Sequence, residues 1–144
     1  MALFDNAGLF SEDQAVTATA ASTNSIDLQA MGTPVGAAGA LVLDAGLSDI
    51  PILVQVTTTF ATLTSLVVSV EMDDNSSFSS ATTVARSEAI LAAALVAGYK
   101  FRLPASIPEG TTERYVRLKY TVAGSDATAG KIFAGIVASR PGAV

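Results

Sequence analysis

Histidine, cysteine and tryptophan are absent from this chain of 144 residues. Without imidazole or thiolate there is no Ser-His-Asp or Cys-His nucleophile, no His or Cys metal site and no disulfide framework. Charged residues are only 15% and aromatic ones 6%, which leaves little for a sugar-stacking cleft or a polyanion-binding face. No apolar stretch reaches the roughly 18 residues that a membrane-spanning helix requires. The longest, at 89–98, is about half that length. The first ten residues contain no basic side chain and no continuous apolar run before Asp5, so no secretory signal is expected and the chain is expected to stay in the cytosol where it is made.

What is present is apolar and small. Hydrophobic residues make up 50% and mean hydropathy is +0.49, too apolar for a disordered chain, while frequent Ser, Thr, Asp and Gly break it up as in a water-soluble domain. A mass of 14.6 kDa suits one core. Net charge is −5, and it is segregated: residues 1–85 hold nine acidic residues and no basic one, residues 86–144 eight basic and four acidic. The overall sign repels nucleic acid and anionic lipid, so neither is expected as a partner. The segregation reads either as internal neutralisation between early and late strands or as two poles suited to charge-complementary neighbours.

Alternation with period two runs through most of the chain, the pattern of half-buried antiparallel strands. Val54 and Val56 alternate with Gln55 and Thr57, Val68, Val70 and Met72 with Ser69 and Glu71, and Val116, Leu118 and Tyr120 with Arg117 and Lys119. A short run at 41–43 and a last strand at 131–139 complete the set. A Thr-rich turn between Thr58 and Leu66 and turn residues at 32–34, 44–46, 73–75, 104–110 and 124–126 separate these runs, and 29–40 reads as a loop. The expectation is an all-β fold: an antiparallel two-sheet sandwich, jelly-roll-like, of about eight strands. Residues 88–97 are ambiguous, because Ser87, a run of Ala and Leu and a closing Gly98 also suit a short helix. Residues 1–14 read as an N-terminal arm and 15–144 as a single domain.

The candidate chemistry is weak. Asp73, Asn75 and Ser77 offer oxygens at alternate positions as a calcium loop does, but Phe78 and Val84 stand where Gly and Glu would be needed, so a solvated turn is expected. A phosphate loop at 124–131 fails on the spacing of its second Gly and on Ile132. Glu71, Asp73, Asp74, Glu88, Glu109 and Glu113 could supply an acid–base pair, yet nothing beside them builds a cleft, and no enzyme activity is expected. Arg114, Arg117 and Lys119 alternate with Tyr115 and Tyr120 as an RNA-binding strand might, which is also how an ordinary strand shows one face to water.

Five separated stretches, in order, carry a likeness: ATAASTNSIDL at 18–28, MDDNSSFSS at 72–80, LVAGYKFRLP at 95–104, ERYVRLKYTV at 113–122 and ATAGKI at 127–132. Together they resemble the small capsid cement, or decoration, proteins of tailed bacteriophages. The resemblance implies a jelly-roll-like sandwich on the outer capsid surface of the virion, made in the host bacterial cytoplasm. There it would bind the expanded shell of major capsid protein and tie capsomers together against DNA pressure. It implies no cofactor and no catalytic residue. Self-association is expected, dimer ahead of trimer. Two sets of contact residues are expected: Leu3, Phe4, Leu9 and Phe10, apolar side chains that need cover, and a basic face at Arg102, Arg114, Arg117 and Lys119. The alternative from another class is a tail or fibre module that binds a host glycan.

Overall fold

The computed structural model describes residues 4–28, 35–36, 38, 52–103 and 113–137, without the side chains of Phe4 and Asp5. Leu3, the run at 41–43, most of the loop at 29–40 and the turns at 32–34, 44–46 and 104–110 lie outside the described residues. Two long strands dominate, β4 (Ile52–Asp73) and β8 (Tyr115–Val137), paired antiparallel from Ile52↔Ile136 to Asp73↔Tyr115. The others are β1 (Phe4–Ala15), β2 (Ala20–Ala21), β3 (Ile26–Asp27), β5 (Thr82–Arg86), β6 (Ile90–Leu91) and β7 (Lys100–Arg102). Among the described residues all pairings are antiparallel and form one eight-stranded sheet. Among the described residues no helix is long and apolar enough to cross a membrane.

The first half of β4, at 52–58, lies between β8 and β7, and β1 flanks β8 there. The second half, at 65–73, lies between β8 and the pair β5 and β6, with β2 and β3 on the far side of β8. Even-numbered side chains of both halves point inward. Val54, Val56, Ile132 and Ala134 from the first half join Leu66, Val68, Val70, Met72, Leu118 and Tyr120 from the second in one buried cluster. A sheet with one apolar face must cover it, and this sheet does so by curling on itself.

The Thr-rich stretch between the halves of β4 and the Gly-Ser-Asp stretch of β8 therefore correct the reading from sequence. Neither is a turn; each continues its strand through a run of register shifts between Val56 and Ser65. Bulges bend a strand without ending it. Here Thr62, at φ 75°, donates its hydroxyl to the Asp126 carbonyl and accepts the Thr128 N–H, while Gly130, at φ 143°, leaves room for the Phe60 ring, which a β-carbon would strike. Turn-type residues thus serve a bend in a continuous ribbon, and the two separate sheets expected from sequence are one.

The segment at 88–97 contains the extended β6 followed by one 3-10 turn at Ala92–Ala94 capped at Leu95, and Gly98 follows at φ 91°. Three helical turns would have removed Ile90 and Leu91 from their pairing with Leu66 and Ser65.

Of the residues read as an arm, 4–14 lie within a strand. This strand is β1, paired with β8 through Ala15↔Lys131. Phe10 and Ser11 are fully buried. Ser11 donates to Gln14 Oε1, and Gln14 in turn binds the Ala21 carbonyl and the Thr23 N–H. This polar chain fastens β1 to the neighbouring edge.

Candidate functional site

In an antiparallel pair, residues directly opposite share a face. The outer face of the second half of the sheet therefore carries two rows set by register: Arg86, Ser69 and Lys119, then Thr83, Glu71 and Arg117. Between β5 and β8 this face forms an open groove of about 610 Å³, with Ser69 and Glu71 as its floor.

Glu71 is the charged centre. Its side chain is 7% exposed and accepts Arg117 Nε and Nη2, each at 2.8 Å, on Oε2, while Lys119 Nζ lies 3.4 Å from Oε1. Arg117 also lies over the Phe78 ring, 4.3 Å from its centroid. A guanidinium sandwiched in this way is held by both its charge and its flat face. Lys119, 41% exposed, is held more loosely.

The loop after β4 is shaped by Asp73. Its buried carboxylate accepts the Asn75 N–H at 3.0 Å, the Ser80 N–H at 2.7 Å and the Ser80 hydroxyl at 3.1 Å. Burial pushes the Asp73 carboxyl up, but the hydrogen bonds to its charged form outweigh that and hold it below the usual value. Asp74, bonded to Asp73, is pushed up. Carboxylate oxygens of Asp73, Asp74 and Glu113 lie within 4.8 Å of one another. Asp73 also accepts three donors from its own loop there.

The eight residues expected as contacts do not form one site. Phe10 is in the core and Leu9 is 7% exposed, so both are covered by the chain itself; Leu3 lies outside the described residues. Arg117 and Lys119 share the outer face of the second half. Arg114 lies just before β8 and is bound at both ends of its fork, 2.7 Å each, by Asp27, which raises the guanidinium above its ordinary value. Arg102 is on β7, opposite Leu53 in the other half of the sheet. Reading by sequence adjacency missed Arg86, which the β4–β5 register brings across Ser69 from Lys119. Its strand is five residues long and follows a loop, too short to stand out as alternation. Of the acidic–basic segregation, four ion pairs among the described residues join early carboxylates to late cations: Asp13 with Lys131, Asp27 with Arg114, and Glu71 with both Arg117 and Lys119.

An all-β chain built on one curled sheet, with a charged outer groove, is the class that fold and site define. Residues 10–136 match the Bbp16 family, and the chain belongs to that family. Among curated proteins no match was found.

Proposed function

We propose that this chain is a capsid cement protein of a tailed bacteriophage. It binds the outer surface of the expanded shell of major capsid protein and stabilises the joints between capsomers against the pressure of packaged DNA. In this reading the curled sheet is a sandwich of the jelly-roll type, its two halves serving as the two layers. The protein acts by binding alone, without a cofactor.

The observation that carries the reading is the likeness of five separated stretches to that class. Four include a strand of the sheet: β2 and β3 lie in 18–28, β7 in 95–104, and parts of β8 in 113–122 and 127–132; the fifth, 72–80, is the loop organised by Asp73. The likeness thus falls on the framework of the fold. The family name suggests a phage-related protein as well.

The physical logic is linkage. A ligand that binds the expanded lattice better than the unexpanded one stabilises the expanded state by its differential affinity. The test is the heat resistance of DNA-filled heads assembled with and without the protein. The proposal expects heads lacking it to release DNA at a lower temperature and added protein to restore the difference. Equal release temperatures would count against it. A glycan-array signal without shell binding would favour the tail-module alternative, although no aromatic side chain lines the outer groove.

A further inference from the structure

The groove on the outer face runs along β4, and its two ends differ in chemistry. Residues two apart on a strand share a face. Glu71, Ser69 and Val67 therefore follow one another along the floor and Ser65 comes next, with no register shift against β8 between Ser65 and Asp73. At one end Arg117, stacked on Phe78, holds Glu71. In the middle Arg86 and Lys119 face each other across Ser69. At the other end Leu91 pairs with Ser65, so it lies on this same face, and it is 62% exposed.

The positive charge in the middle is not neutralised. Arg117 spends both of its contacts on Glu71 Oε2, and Lys119 reaches Oε1 only at 3.4 Å. Arg86 is exposed and makes no ion pair among the described residues. Two neighbouring rows thus set three cations against one carboxylate. In a chain of net charge −5 this is a local excess of the opposite sign, and it selects an anionic partner. A nucleic-acid backbone would need a longer run of cations, and Glu71 beside Lys119 works against it. A single carboxylate fits.

We infer that this groove takes an extended acidic segment of the major capsid protein: an Asp or Glu carboxylate lies between Arg86 and Lys119 above Ser69, and an apolar side chain four residues along the segment covers Leu91. The spacing follows from the floor. Ser69 and Ser65 are four residues apart on one strand, about 13 Å at about 3.3 Å per residue, and a ligand chain lying extended along β4 has the same rise. Arg86, rather than Arg102 or Arg114, is then the companion of Lys119 in recognition. The identity of the partner rests on the capsid reading; the chemistry of the segment rests on the groove.

The test measures binding of the full chain to expanded shells over a range of salt concentrations. Arg86→Glu and Lys119→Gln are each expected to weaken binding on the order of tenfold and to flatten its dependence on salt. Lys100→Glu makes the same charge change as Arg86→Glu, but on β7 in the other half of the sheet, and is expected to bind as wild type does. Since Arg86 makes no ion pair among the described residues, its replacement should leave the fold intact, which a melting curve checks. A photo-crosslinking residue in place of Thr121, exposed on the groove wall, is expected to join a capsid-protein peptide that holds Asp or Glu with an apolar residue four positions away. Groove variants that bind as wild type does, an equal loss in Lys100→Glu, or a crosslinked peptide without a carboxylate would each overturn the inference while leaving capsid binding standing. A folded wild type that binds no shell would overturn the capsid reading and this inference with it.

Discussion

The hydroxyl of Tyr120 lies 2.7 Å from Ser11 Oγ, and both residues are fully buried. Ser11 donates to Gln14, so the phenol is the donor in this bond. It joins β1, in the first half of the sheet, to the stretch of β8 in the second half, across the core that the curl encloses. Ser11→Ala leaves the Tyr120 hydroxyl without that acceptor and is expected to cost about 1–3 kcal/mol in urea unfolding. Tyr120→Phe removes the donor while Ser11 keeps Gln14, and should cost less. Equal costs would mean that the hydroxyl finds another partner.

Burial holds the Tyr120 phenol well above its ordinary value of 10.0, against the smaller opposing effect of Ser11. The folded state therefore holds this proton more tightly than the unfolded chain. That contribution to stability is fully present below pH 10 and is lost as the pH rises above it. In an alkaline titration Tyr120 should ionise only as the fold is lost, giving tyrosinate absorbance that tracks the loss of β circular dichroism. Tyr120→Phe should abolish that coincident step.

Asp73 behaves with the opposite sign. Its carboxyl is held below the ordinary 3.8 by loop donors despite burial, so its contribution is present above that value and lost as the pH falls through the folded one. The stability gap between wild type and Asp73→Asn should narrow as the solution is acidified. Asp73 and Asp74 titrate as a pair, so the narrowing belongs to both. A gap that stays constant between neutral pH and acid unfolding would contradict this account.

Two ion pairs of similar length should differ in worth. Glu71 is 7% exposed beneath Arg117, so Arg117→Ala leaves a shielded carboxylate with only the longer contact to Lys119 and also uncovers Phe78. About 1–3 kcal/mol is expected. Arg114→Ala breaks a shorter, bidentate pair that is 44% and 36% exposed, and should cost under about 1 kcal/mol. Chemical denaturation of both variants decides the order.

Deletion of residues 2–10 tests whether the N-terminus acts as a capsid-binding arm. In the structure it removes Phe10 from the core and half of β1. The single change Phe10→Ala is already expected to cost about 3–5 kcal/mol. Lost capsid occupancy after the deletion therefore has to be compared with the melting curve of the truncated chain before it is read as lost contact.

Strand content was legible because period-two alternation survives in Val54 to Val56, Val68 to Met72 and Val116 to Tyr120. The core residues follow from it directly. The continuity of the two long strands was hidden, since Thr62, Gly124 and Gly130 carry turn chemistry that the fold spends on bulges, and the sequence signal for a turn and a bulge is the same. An apolar terminus can be covered by its own sheet or by a partner, and only the pairing of β1 with β8 shows that Phe10 is covered by its own sheet. The row of Arg86, Ser69 and Lys119 depends on register between strands far apart in sequence, which local periodicity does not encode.

The central claim is that this chain recognises an assembled, expanded capsid lattice. The most direct measurement mixes purified protein with expanded shells lacking it and, separately, with unexpanded shells, then pellets the shells and counts bound copies. The account predicts saturation at a fixed ratio to the major capsid protein on expanded shells alone. Absence of binding to either shell, by protein shown to be folded, would contradict it.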